Sequence, residues 1–205
     1  MHSILEILEE ATDSAGPDLI SLDDLKLALG IEGTAEDAQL QAMITFQSRI
    51  IADYCDRRFG LAEAVETFTF DRGETMPTRQ ALTLSLYPVV EVFEVSSFGA
   101  TAADYDLDPT TGRLWSDGWW TGSVSVLYAG GYDLPEQAPA RLQKAVIEAV
   151  YEGRTSGARD PSIQQVTHGD TSIRYFTSAT SSASEGFLSA PVVDLIRPYR
   201  RLRVA

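Results

Sequence analysis

The spacing of apolar residues changes twice along the chain, from a period near 3.6 to a period of two and back again. In 3–11, Ile4, Ile7, Leu8 and Ala11 share one helical face, and Ser3 with Glu6 forms a capping box, which predicts a short amphipathic helix. Asp13 to Asp18, with Gly16 and Pro17 between them, breaks it. A second helix is expected over 21–29, opened by the box Ser21…Asp24, striped by Leu22, Leu25 and Leu29, and closed by Gly30. Each cap contributes about 1 kcal/mol, enough to fix where a short helix begins. A third box, Thr34…Asp37, opens the longest helix, about 36–59. Leu40, Met43, Ile44, Ile51, Tyr54 and Cys55 keep helical spacing there, and Phe46 and Ile50 widen the apolar surface beyond one face. Such a helix would be roughly 36 Å long.

From 64 to 130 the period is two. The strands predicted are 65–70, 81–86, 89–95, 104–107, 113–115 and 123–128, with Leu82, Leu84 and Leu86 alternating with polar residues, as Val124, Val126 and Tyr128 do. That alternation means antiparallel strands with one buried face. Pro109-Thr110-Thr111-Gly112 is a hairpin turn, and Trp115, Trp119 and Trp120 cluster beside a loop bounded by Gly118 and Gly122. A fourth helix follows at 139–152, with Pro139 in its first turn and a stripe of Leu142, Ala145, Val146, Ala149 and Val150. Residues 153–161 read as a linker, 162–176 as a hairpin around His168-Gly169-Asp170, and 177–186 as a low-complexity stretch. The expected class is α+β: a bundle of about four helices, an antiparallel β region inserted before the last of them, and an extended C-terminal hairpin and tail. The expected divisions are an N-terminal helix and linker (1–18), a body (19–152) and the C-terminal hairpin and tail (153–205).

Charge narrows the roles available. The 205 residues hold 30 acidic and 16 basic side chains, a formal net charge of −14. A chain so acidic does not grip nucleic acid, because neutralising phosphates needs a basic surface. The distribution is uneven: residues 1–53 contain eleven acids against Lys26 and Arg49, whereas Arg197 to Ala205 contain four Arg and no acid. A basic end on an acidic body suits either simple solubility or a charge-coded contact. No apolar run reaches the length of a membrane span, and the N-terminus lacks the pattern of a signal peptide, so a soluble chain made in a reducing compartment is expected.

Catalytic chemistry finds little footing. The single cysteine, Cys55, rules out an internal disulfide and reads as a buried thiol in a helix. A nucleophile would need a histidine base, and the only two, His2 and His168, lie in the N-terminal segment and in a predicted turn. Asp104, Asp106 and Asp108 resemble the start of a calcium loop, but its sixth position is Pro109 and its twelfth Trp115, where Gly and a bidentate Glu are needed. Gly130-Gly131 lacks the Gly-Lys-Ser/Thr of a phosphate loop, and no His/Cys cluster has zinc spacing. No catalytic, metal or cofactor-binding residue is therefore assigned and no cofactor is expected. What remains is an interaction protein.

The order of motifs carries a resemblance. Leu22-Asp23-Asp24-Leu25-Lys26 leads through Leu29-Gly30-Ile31 to the long helix from Asp37-Ala38-Gln39-Leu40 to Asp56-Arg57-Arg58-Phe59. Tyr87-Pro88-Val89-Val90-Glu91-Val92, Tyr105-Asp106-Leu107-Asp108…Gly112-Arg113-Leu114 and Val124 to Tyr132 follow, closed by Leu134-Pro135 and the helix from Ala140 to Tyr151. Over about 19–152 this resembles the head–tail connector (adaptor) proteins of long-tailed bacteriophages and of phage-derived gene transfer agents. Gly169 to Tyr175 and Leu195 to Arg201 are similar to the ends of longer family members. The helix at 3–11 and the longer β region depart from the pattern.

The resemblance implies a structural virion protein, present in the neck and in the host cytoplasm during assembly. It implies a homo-oligomeric ring, usually of twelve subunits, that joins the portal protein to a stopper or tail-completion protein. DNA would pass through its channel without specific binding, and no membrane is involved. Portal docking falls to the tail residues Leu195, Ile196, Pro198, Tyr199, Arg200, Arg201 and Leu202, and subunit contact to Phe46, Ile50, Trp119 and Trp120. The rival readings are another connector component, such as a stopper or tail-completion protein, and a small hydrolase or metal-dependent enzyme.

Overall fold

After the first element, the order of elements follows the changes of period. The computed structural model describes residues 2–10, 18–70, 75–76, 81–97, 100–101, 105–116, 120–157, 165–168, 171–174 and 188–201. Strand β1 (His2–Glu10) comes first, then helices α1 (Leu22–Leu29) and α2 (Asp37–Cys55). The β region runs through β2 (Ala62–Thr69), β3 (Thr75–Met76), β4 (Leu82–Thr83), β5 (Val89–Ser97), β6 (Ala100–Thr101), β7 (Tyr105–Asp108), β8 (Arg113–Ser116), β9 (Trp120–Thr121) and β10 (Ser123–Gly130). Helix α3 (Ala140–Gly157), the hairpin β11 (Gln165–His168) and β12 (Thr171–Arg174), helix α4 (Ala190–Ile196) and a 3-10 turn (Arg197–Tyr199) complete it. The α+β class stands, with antiparallel sheets and four helices, but the four are not those expected.

The chain divides into a β unit of residues 1–17 and 56–138 and a helical unit of residues 18–55 and 139–205. In the β unit a five-stranded antiparallel sheet has the order β1-β2-β10-β5-β6, and a smaller one the order β4-β8-β7. Alternation sets the faces: Ala62, Ala64, Glu66 and Phe68 of β2 and Val124, Val126 and Tyr128 of β10 point inward. They meet Leu82, Leu84, Leu86, Leu114 and Trp120 in one buried cluster. Gly130 and Gly131 have a packing role. A Cβ on Gly130 would strike the Leu86 carbonyl, and Gly131, at φ 113°, leaves no room beside the Gly60 carbonyl.

The segment 3–11 is a strand, not a helix. An isolated helix of nine residues gains too little to offset its nucleation cost. Pairing with β2, from His2↔Thr69 to Glu10↔Ala62 with a bulge between Ile7 and Glu9, satisfies the backbone instead. Leu5 and Ile7 then pack against the β core, while Ile4 and Leu8 remain exposed. The strand expected over 81–86 shrinks to two residues, because its remaining backbone groups find other partners. Leu84 N donates to Gly112 O at 2.8 Å, Ser85 N to Glu66 and Leu86 N to the Tyr128 hydroxyl.

In the helical unit Ser21 caps α1 as its sequence predicts: its Oγ accepts from Asp24 N at 3.1 Å, and Gly30 closes the helix at φ 65°. Helix α2 stops at Cys55, four residues before the expected end, where Asp56 turns left-handed at φ 51°. Helix α3 continues through most of the expected linker, to Gly157. The expected hairpin forms as β11 and β12, and its Gly169-Asp170 turn and the stretch 177–186 lie outside the described residues. The C-terminal segment corrects the expectation of an extended tail. Leu188, Val192 and Ile196 are buried, α4 packs on α3, and Ser189 Oγ donates to Glu152 at 2.9 Å. Arg201 N donates to Cys55 O at 2.8 Å, which ties the end of the segment to the end of α2.

Candidate interaction surfaces

Among the described residues, several polar side chains have structural tasks. Glu66 sits at an inward position of β2 with no exposed surface. Its carboxylate accepts from Ser85 N at 2.8 Å, Ser85 Oγ at 2.6 Å and the Tyr128 hydroxyl at 2.9 Å. Burial first, and then the Glu66 charge, push the Tyr128 phenol well above its ordinary range, so it stays a neutral donor. Sequence reasoning missed this trio, although the alternation already put Glu66 in phase with Ala64 and Phe68. Being buried, Glu66 fastens the 84–86 segment to the sheet and meets no substrate. Nearby, Arg57 is 8 % exposed, with its guanidinium 3.5 Å from the Tyr87 ring centroid and 4.8 Å from that of Phe59, and it donates to Tyr87 O. The Cys55 thiol is buried and donates weakly to Ile196 O at 3.8 Å.

Asp108 is the end of the rejected calcium loop, and its carboxylate caps the turn that follows. It accepts from Thr111 Oγ1 at 2.6 Å and Thr110 N at 3.0 Å, and these bonds, the Thr111 hydroxyl foremost, hold its acid below the usual carboxylate range. Asp104 lies outside the described residues. In the helical unit Asp18 moves the other way. Burial raises it, opposed by hydrogen bonds from Thr45 and Gln41 and by the charge of Arg49. Among the described residues no group of His, Cys, Asp and Glu is placed to hold a metal, and no helix is long and apolar enough to cross a membrane.

The residues expected at interfaces separate by exposure. Phe46 is 60 % exposed on α2, and Ile50 is half-buried. Trp120 is only 2 % exposed and belongs to the β core, so it is not a surface anchor; Trp119 lies outside the described residues. Of the tail residues, Pro198 and Arg200 are exposed, and Leu195, Tyr199 and Arg201 are half-buried. Ile196 is fully buried in the chain's own helical unit and is therefore unavailable to a partner. Leu202 lies outside the described residues. Arg200 lies over the Tyr54 ring, 5.2 Å from its centroid.

A separate feature lies on the helical unit. Ala28, Leu29 and Ile31 at the end of α1 and Ile147, Glu148, Tyr151, Arg154 and Thr155 of α3 line a groove of about 370 Å³ with both apolar and polar walls. Of these, Arg154 pairs with Glu36 at 2.6 Å. Tyr151 is 53 % exposed.

Residues 19–86 match the family described as phage gp6-like head-tail connector protein. No curated protein matches the chain. Among solved structures, a chain in the neck of an empty gene transfer agent particle, computed with C6 symmetry, matches with a TM-score of 0.55 and 15 % identity, covering 98 % of this chain and 97 % of that one. A chain in the neck of the native particle, computed with C12 symmetry, matches with a TM-score of 0.51 and 18 % identity over 98 % of both chains. A chain of the native virion matches with a TM-score of 0.52 and 16 % identity, covering 98 % and 97 %. The family is described as a head-tail connector, and the matched structures as parts of a neck or virion. Residues 19–86 are thus similar to the phage gp6-like head-tail connector proteins, and over nearly its whole length the chain shares the fold of chains from gene transfer agent necks.

Proposed function

We propose that this protein is a structural component of a virion neck, assembled in the host cytoplasm, whose copies form a ring that joins the portal to the stopper or tail and extends the DNA channel. The match of residues 19–86 to the head-tail connector family carries this reading. The likeness of the whole fold to chains from necks reconstructed with C6 and C12 symmetry supports the ring, and twelve subunits is the number it favours. The physical chemistry is consistent with that role. A net charge of −14 per copy repels phosphate, so DNA slides through such a ring. The exposed Pro198 and Arg200, with the half-buried Leu195, Tyr199 and Arg201, present a basic and aromatic surface suited to a portal contact. Mass measurement and negative-stain imaging of the purified full chain with portal should show a ring seated on the portal. Absence of any ring, alone or with portal, overturns the reading, and crosslinks to a tail component without crosslinks to portal would move the protein to a stopper position.

A further inference from the structure

The outer faces of α2 and α3 belong to one unit and carry matching patterns. Along α2, Ala38, Ala42, Phe46, Arg49 and Asp53 are all exposed and, at 100° per residue, form one stripe. Along α3, Lys144, Glu148, Tyr151 and Thr155 form another, with Lys144 and Tyr151 exposed and Glu148 half-buried. Phe46, Arg49 and Asp53 are spaced by three and then four residues. Tyr151, Glu148 and Lys144, taken toward the N-terminus, have the same spacing. Laid antiparallel, the stripes therefore put Phe46 at Tyr151 and the groove behind it, Arg49 at Glu148, and Asp53 at Lys144. Laid parallel with the same aromatic contact, they would set Arg49 toward Arg154 and carry Asp53 past the end of α3. Charge complementarity thus selects one orientation.

We infer that the α3 stripe and the α1–α3 groove form the receiving half of a subunit interface, and that its occupant is the α2 stripe of a second copy of this chain, antiparallel, with Phe46 entering the groove. The giving and receiving faces differ, so the contact is heterologous: each copy gives to one neighbour and receives from the other, the arrangement that closes into a ring. The sheet edges are poorer candidates. Glu6 on β1 and Glu91 and Glu94 on β5 would set like charges together. This inference rests on the ring reading above and adds the identity of both faces.

The test uses the full chain, with portal where the ring needs it. Oxidation of the Phe46→Cys/Tyr151→Cys variant should give a ladder of disulfide-linked species beyond the dimer, absent from either single variant and from the wild type, whose only thiol is buried. Arg49→Glu or Glu148→Arg alone should weaken self-association by about tenfold or more, and the two together should restore it. Arg49 is exposed and Glu148 half-buried, and circular dichroism of each variant should show unchanged folding. A crosslink that stops at the dimer shows an isologous contact and overturns the inference. Multimers that form without the crosslink, and without sensitivity to charge reversal, overturn it while leaving the ring reading intact. A wild type that never assembles, with or without portal, takes both down.

Discussion

Glu66 shows how one residue can settle a loop. Its carboxylate draws two donors from Ser85 and one from Tyr128, and the Tyr128 oxygen accepts from Leu86 N at 3.1 Å. Replacing Tyr128 with Phe removes a donor from a buried carboxylate and strands a backbone N–H, so unfolding free energy should fall by about 1–3 kcal/mol. Denaturant melts of the variant check this, and an unchanged midpoint would show that water replaces the hydroxyl. Asp18 gives the residue scale its pH dependence. Its acid is raised by burial, so the folded chain binds a proton more tightly there than the unfolded chain does. Its contribution to stability is present at low pH and is lost as pH rises from the ordinary aspartate value toward the raised one. The inward phase of Glu66 was legible in the alternation of β2; its partners were not, because they come from positions 19 and 62 residues away.

At the scale of elements, caps proved reliable and isolated periodicity did not. Ser21 and Gly30 bound α1 because their bonds close within the helix. The segment Ile4-Leu5-Glu6-Ile7-Leu8 fits a helical and an extended pattern alike, and the edge of β2, distant in sequence, decides between them. Helix α4 was missed for a related reason: seven residues, with Pro191 in the first turn, are too few to announce a helix alone, and packing on α3 supplies the stability. The C-terminal segment is therefore part of the helical unit. Ile196→Ala should cost about 2–5 kcal/mol, as a cavity in that core. Truncation after residue 187 should lower the melting temperature of the full chain, whereas Arg200→Ala should leave it nearly unchanged. Thermal melts of the three variants decide the matter, and a truncated chain as stable as the parent would return the segment to the status of a detachable tail.

The whole molecule is described by its charge and its two units. A chain at −14 should not retard duplex DNA in a mobility assay at about 0.1 M salt, and a salt-sensitive shift would reveal a basic surface that the total conceals. The α+β class and the motif order that resembles a connector were both legible, since they rest on local spacing and on a likeness that the family match shows over 19–86. The interaction surfaces were legible only in part. Phe46 was identified as an interface residue and is exposed, but Trp120 and Ile196 share its apolar character and are buried. Hydrophobicity marks a residue that seeks cover without saying whether its own chain provides it.

The sequence by itself determined what is encoded within a few residues or in the composition: the capped helix α1, the core and start of α2, the hairpin turn at 109–112, the inward phase of the long strands, and the acidic balance. Only the tertiary structure decided what depends on distant partners. It made 2–10 a strand, joined 188–201 to the helical unit, turned Glu66 into a buried fastener, and brought α1 and α3 together around a groove. The physical reason is range. A cap or a turn closes its hydrogen bonds within four or five residues, whereas a strand edge, a buried charge or a groove exists only once remote segments have packed.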